Sequence, residues 1–130
     1  MIRGIGIDII ETARIRAIID AKGLRFLDKA FTAHEQAYCR GKQKGAYQSY
    51  GARFAAKEAV FKVLGTGWQR GVGWKQVEIR NDHHGKPAVF LCDRAAEVAR
   101  ELGISGIHLS LSHTEGYCAA FAVGEGDGPA

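Results

Sequence analysis

The sequence predicts a single domain in which one long helix is pressed against strands. Three observations carry this reading. Residues from about Tyr47 to Leu64 read as one helix with apolar side chains on two sides, ended by Gly65. Residues Ile2 to Ile10 alternate isoleucine with Arg, Gly or Asp, which is the period of a strand. The run Asn81-Asp82-His83-His84-Gly85-Lys86-Pro87 is turn chemistry between two strand-like segments, so the second segment pairs back on the first. A chain of 130 residues fits one compact unit with a core of its own.

In the first strand, Ile5, Ile7 and Ile9 share one face, and Gly4, Gly6 and Asp8 share the other. Glycine weakens a strand, so the glycine face predicts close approach of another element, with Asp8 at its far end. Glu11 to Lys22 reads as a helix with a stripe of Ile15, Ile18 and Ile19, basic residues elsewhere, and Gly23 as its stop. Thr32 and Glu35 form a capping box that opens a short helix to about Tyr38 or Cys39. Gly41 to Gly45 is a basic loop carrying Lys42 and Lys44.

On the long helix, Tyr50, Phe54, Phe61 and Leu64 make a bulky face, and Ala52, Ala55, Ala56, Ala59 and Val63 a face of small side chains. Glu58 and Lys62 lie one turn apart on a narrow strip between them. Further on, Trp74 to Arg80 and Ala88 to Cys92 read as strands, and Arg94 to Leu102 as a helix closed by Gly103. Ile107 to Ser112 and Tyr117 to Val123 read as strands joined by a turn at Thr114-Glu115-Gly116. The domain is therefore expected to span 1–123, with a glycine-rich, disordered tail at 124–130.

Composition narrows the function classes. Hydrophobic residues are 46% and charged residues 25%, ordinary values for a soluble globular chain. No apolar run approaches the roughly 18 residues of a membrane span, and the first residues lack a signal-peptide layout, so a cytoplasmic location is expected. Cys39, Cys92 and Cys118 are scattered, with no CxxC, and read as small buried hydrophobes rather than a disulfide framework or zinc site. The net charge of +4 favours acidic partners. Without an RNP-like aromatic motif or a dense basic block, nucleic acid is not the expected one.

Candidate chemistry sits at four places. Glu58 and Lys62 could be a surface ion pair worth a few tenths of a kcal/mol. On a helix buried on both sides, however, charges need partners or ligands. Asp8 could cap the helix that follows it. Alternatively, Asp8 and Glu58 together suit Mg²⁺, which takes one or two carboxylates plus phosphate oxygens and water, with a lysine for the phosphate charge. Gly65-Thr66-Gly67 reads either as a helix C-cap or as a weak phosphate loop that matches no P-loop pattern. Ser112-His113-Thr114 ends a strand, where polar side chains face a ligand or serve the turn; adjacent strand residues point oppositely, so Ser112 and His113 are no nucleophile–base pair. His83 and His84 fall in a turn and read as solvated.

Taken in order, Gly6-Ile7-Asp8-Ile9, Phe31-Thr32 to Glu35 and Tyr38, Arg53-Phe54-Ala55-Ala56-Lys57-Glu58-Ala59, Lys62, Gly65-Thr66-Gly67 and Leu111-Ser112-His113-Thr114 resemble the holo-acyl-carrier-protein synthase family. The resemblance covers essentially the whole chain apart from the tail. It implies an α+β fold, of the 4′-phosphopantetheinyl transferase kind, with a long central helix packed on an antiparallel sheet. It implies transfer of 4′-phosphopantetheine from coenzyme A to a serine of apo-acyl carrier protein in fatty acid biosynthesis, leaving adenosine 3′,5′-bisphosphate. It also implies a homotrimer with sites between subunits. By that resemblance Asp8 and Glu58 hold Mg²⁺, and Lys62 approaches the coenzyme A phosphates. Gly65, Thr66, Gly67, Ser112, His113 and Thr114 help bind the nucleotide end; Arg14, with Lys22 and Arg25 beside it, docks the acidic carrier protein. The resemblance leaves the base unassigned, between Glu58, directly or through a metal-bound water, and, more remotely, Glu35. The chain departs from the family at Val60-Phe61, at Cys118 and in the bulky stretch Trp68 to Trp74. Two other readings remain at this level: a small nucleotide pyrophosphatase, which needs more carboxylates, and a binding module that grips an acidic helix through Arg14, Arg16, Lys22 and Arg25.

Overall fold

The computed structural model describes residues 1–66 and 71–127. The chain runs β1 (Ile2–Glu11), α1 (Thr12–Lys22), α2 (Leu24–Ala30), α3 (Ala33–Arg40), α4 (Ala46–Leu64), β2 (Val77–Asn81), β3 (Pro87–Leu91), α5 (Asp93–Glu101), β4 (Gly106–His113) and β5 (Tyr117–Glu125). Short 3₁₀ turns at Gln43–Gly45 and Trp74–Gln76 precede α4 and β2. An antiparallel sheet of order β1-β5-β4 carries α4 on one face, and β2 and β3 form a separate antiparallel hairpin. This is the α+β arrangement expected.

The glycine face of β1 meets α4. A Cβ on Gly6 would lie 2.0 Å from the Ala59 carbonyl oxygen, and one on Gly4 would lie 2.8 Å from that of Val63. The small-residue face of α4 allows this approach. The bulky face of α4 packs away from the sheet, where Phe54 stacks on Trp74 at 4.7 Å and Phe61 meets the same ring edge-on at 5.1 Å. Phe26, Phe31 and Tyr50 complete this aromatic cluster. Gly65 ends α4 in the left-handed conformation, φ 71°.

The expected capping box at Thr32 and Glu35 is present. Glu35 does more than cap. Its carboxylate is 2.8 Å from Lys57 Nζ, and both side chains are fully buried. Lys57 Nζ also donates to the carbonyls of Trp74 and Val77, and the other Glu35 oxygen accepts from Ile79 N–H. The pair therefore satisfies the backbone of β2 along the edge that β3 leaves open.

The structure corrects four expectations. A second helix, α2, follows α1 directly. Gly23, at φ 56°, closes the first and opens the second, so the stop signal is a corner between helices. The strand expected from Trp74 begins at Val77, because Gln76 N–H closes a tight turn onto Gly73. The last strand continues past Val123: Gly124 pairs with Gly4, Glu125 with Ile2, and Gly126 N–H bonds the Met1 carbonyl. Three residues of the expected tail are thus ordered against β1, and 128–130 lie outside the described residues. Cys39 and Cys118 are buried as expected, but Cys92 is exposed because it stands at the N-cap of α5.

Candidate active site

The register of β1 against β5 and β4 aligns Asp8, Ala120 and Leu111 in one row, on the face that α4 covers. Asp8 is at the β1 end of that row, beside the α4 turns that carry Glu58 and Lys62. Lys62 Nζ donates to the Ile7 carbonyl at 2.7 Å and reaches Asp8 Oδ1 at 3.4 Å. As the Lys62 side chain is half exposed, that ion pair contributes little stability. Asp8 is not the cap of α1, whose N-cap is Glu11 with no side-chain hydrogen bond.

Glu58 is half-buried near the same point. Burial, and then the charge of Asp8, hold its carboxyl above the usual range, while Lys62 and Arg14 pull the other way. Two carboxylates whose charges oppose each other, flanked by a half-exposed lysine, form a pair that a cation would relieve. Among the described residues no group of three or more His, Cys, Asp or Glu gathers. The donor set fits Mg²⁺ completed by phosphate and water, and does not fit a zinc cage.

The other expected residues are spread around this pair. Gly65 is the α4 cap, Thr66 is buried just beyond it, and Gly67 lies outside the described residues. Arg14 and Lys22 on α1 and Arg25 on α2 are exposed, and Arg14 is the one close enough to act on Glu58. Glu35, the remote candidate for a base, is fully buried with both oxygens engaged.

A cavity of about 560 Å³ opens on the opposite flank of α4, between that helix, the β2–β3 turn and β4. His113 lines it; Ser112, on the other face of β4, and Thr114, in the turn, do not. Lys42, Arg53 and Lys86 line it with His113, and among the described residues no Asp or Glu does. Asp8, Glu58 and Lys62 are not part of its wall. The sequence reading missed Arg53 and Lys86 and left Lys42 as an unassigned loop charge. Nothing in periodicity placed Arg53, which sits buried on a helix face that reads as core; the cavity wall it shares with His113 arises only from the tertiary fold.

The family model of the 4′-phosphopantetheinyl transferase superfamily matches residues 4–122. A holo-[acyl-carrier-protein] synthase of Halothermothrix orenii is 46% identical over 125 residues, covering 96% of this chain and 98% of the relative. The crystal structure of holo-[acyl-carrier-protein] synthase from Neisseria meningitidis superposes with a TM-score of 0.88 at 35% identity, covering 96% of this chain and 99% of that one. A holo-(acyl-carrier-protein) synthase from Bacillus anthracis, solved in complex with CoA (3′,5′-ADP), superposes with a TM-score of 0.80 at 35% identity, over 98% of this chain and 99% of that one.

Proposed function

We infer what this chain does from the premise that it belongs to the 4′-phosphopantetheinyl transferase superfamily: it moves the 4′-phosphopantetheine arm of coenzyme A onto a serine hydroxyl of an apo-acyl carrier protein. The reading extends to fatty acid biosynthesis in the cytoplasm. The observation that carries it is the convergence of Asp8, Glu58 and Lys62 at one edge of the sheet, in a chain matched along nearly its whole length.

In the reaction, the serine oxygen forms a bond to the phosphorus that bears pantetheine. The bond from that phosphorus to the bridging oxygen breaks, and adenosine 3′,5′-bisphosphate leaves. Asp8 and Glu58 would hold Mg²⁺, which when bound polarises the pyrophosphate and offsets charge in the transition state. Lys62 gives its ammonium to the same phosphate oxygens, at the end of a side chain already directed to Asp8. With Glu35 sealed in the core and both its oxygens engaged, Glu58 is the carboxylate left to take the serine proton, directly or through a water. The exposed cations Arg14, Lys22 and Arg25 on α1 and α2 dock the acidic carrier protein.

A homotrimer that completes each site between copies is part of the proposal, and two observations support it. The outer sheet face exposes Ile5, Ile7 and Ile9 at 61%, 61% and 64%, with Phe121 beside Ile7 across the β1–β5 pairing, which is a contiguous apolar patch in need of cover. The basic cavity and the carboxylate pair lie on opposite flanks of α4, so one coenzyme A that uses both draws on two copies.

The test is the mass of an apo-acyl carrier protein incubated with the protein, coenzyme A and Mg²⁺, with Glu58→Gln and EDTA as controls. The expected result is a gain of one phosphopantetheine with the wild type, lost in both controls. No gain across several apo-carriers overturns the proposal, and a gain that persists in EDTA overturns the metal assignment.

A further inference from the structure

Helix α1 is tied to α4 by a polar contact that the transfer chemistry does not use. Tyr47, the second residue of α4, donates its hydroxyl to Asp20 Oδ1 near the end of α1. Among the described residues this is the one side-chain hydrogen bond between the two helices. The other Asp20 oxygen faces Arg16 Nε at 3.8 Å, and the Arg16 guanidinium carbon lies 5.0 Å from the centre of the Tyr47 ring. The three side chains close a cycle: hydroxyl to carboxylate, carboxylate to guanidinium, guanidinium to π-face. An exposed i,i+4 ion pair contributes little by itself, and Arg16 and Asp20 are 65% and 53% exposed. This pair differs because its acid is also bound to a second helix, by a phenol that has few torsions to fix.

The position of the contact gives it a use. Apolar anchoring of α1 is narrow, since Ile15 is its one fully buried residue. Asp20 stands just before the corner at Gly23, which Lys22 and Arg25 flank. These are the cations that dock the acidic carrier in the reading above, on which this inference rests. A Cβ on Gly23 would meet nothing within 4 Å, so packing at that residue does not fix the corner. Glu58 lies about 16 Å further along the helix that carries Tyr47. The bond from Tyr47 to Asp20 therefore sets the docking corner against the element that holds Glu58. An acid among docking cations would also repel an acidic partner, but here its two oxygens are taken up by Tyr47 and Arg16. We propose that Tyr47 and Asp20 are positioning residues for carrier docking, which brace the α1–α2 corner against α4, with Arg16 a part of the brace rather than of the docking set. Neither residue touches the carrier; both act through the placement of Lys22 and Arg25.

The readout is the KM for apo-acyl carrier protein set against kcat and the KM for coenzyme A, with a thermal melt of each variant. Tyr47→Phe keeps the ring beside Arg16 and removes only the hydroxyl. It should raise the carrier KM about 3–10-fold and leave kcat and the coenzyme A KM within about twofold. Asp20→Ala should raise the carrier KM by a similar factor. Plain attraction of an acidic carrier predicts the opposite sign, because this change removes a negative charge. Asp20→Asn keeps an oxygen for the phenol and should hold the carrier KM at or below the wild-type value. Tyr47→Phe/Asp20→Ala should be no worse than either single change; multiplied effects would mean that Tyr47 meets the carrier directly and would overturn the inference. So would an unchanged or lowered carrier KM in Tyr47→Phe or Asp20→Ala, or an equal rise in Asp20→Asn. Lys22→Ala and Arg25→Ala separate this inference from the docking reading. If they leave the carrier KM unchanged, the docking surface falls and the brace with it; if they raise it and Tyr47→Phe does not, the brace alone falls. Absence of transfer by the wild type would instead overturn the function.

Discussion

Gly6→Ala tests whether the site depends on how closely α4 approaches β1. The new Cβ would stand 2.0 Å from the Ala59 carbonyl oxygen and 2.9 Å from Lys62 Cβ. A carbon–oxygen contact settles near about 3.3 Å, so strand and helix must part by about 1.3 Å. The obstacle is backbone, which no rotamer change removes, and overpacking of this kind costs about 1–3 kcal/mol. For a domain of this size that is about 3–15 °C in Tm. The functional effect should be larger, because Gly6 is two residues from Asp8 and Ala59 adjoins Glu58. A displacement of about 1 Å between groups that must act together can lower the rate about 100-fold. Turnover of apo-carrier protein, with a thermal melt beside it, measures both. Gly106→Ala is the control, since a Cβ there meets nothing within 4 Å, and it should leave rate and Tm unchanged. If Gly6→Ala keeps its turnover within twofold and its Tm within about 2 °C, the close approach does not position the site and the reasoning fails.

Three further outcomes follow from separate features. Ile7→Asp places a charge in the exposed isoleucine stripe and should convert the proposed trimer to monomers without unfolding them; sedimentation that still reports a trimer would refute the role given to that face. Lys57→Met strands the buried Glu35 carboxylate and should cost about 3–5 kcal/mol in urea unfolding, much of it regained in Lys57→Met/Glu35→Leu; an additive double mutant would deny the coupling. Glu78 is pushed up by burial but held below its usual range overall, because hydrogen bonds from Thr32 and Arg80 outweigh that burial. Its contribution to stability is therefore complete above the ordinary value of 4.5 and is lost as pH falls through the lower folded value, so Glu78→Gln should flatten the acid limb of a stability–pH curve.

Much of this architecture was legible because local chemistry and tertiary role agree. The alternation in β1 gave both its faces, and the glycines on one of them signalled the close approach of another element, which is α4. The wheel of α4 separated sheet side from aromatic side correctly, because its small and bulky residues answer to different neighbours. Asp8, Glu58 and Lys62 were found as three charges on elements that otherwise read as core. What stayed hidden depends on distant register. Arg53 lies on a helix face that reads as core until the fold sets it in one cavity wall with His113. Glu35 reads as a cap, and its second oxygen serves β2, 44 residues away. The corner at Gly23 misled because glycine signals an ending without saying what begins next.

The edge of β2 has a consequence for how damaged versions of this chain behave. A strand edge closed by another strand can be reopened only by pulling two backbones apart, but here two side chains do the closing. Losing either one removes the latch while leaving the strand intact. The buried Val77 carbonyl and Ile79 amide would then be left unsatisfied in the core, which favours openings that offer this edge to another copy. Lesions at Glu35 or Lys57 should therefore surface less as weak enzymes than as protein missing from the soluble fraction, a cellular signature that assays of purified catalyst would never register.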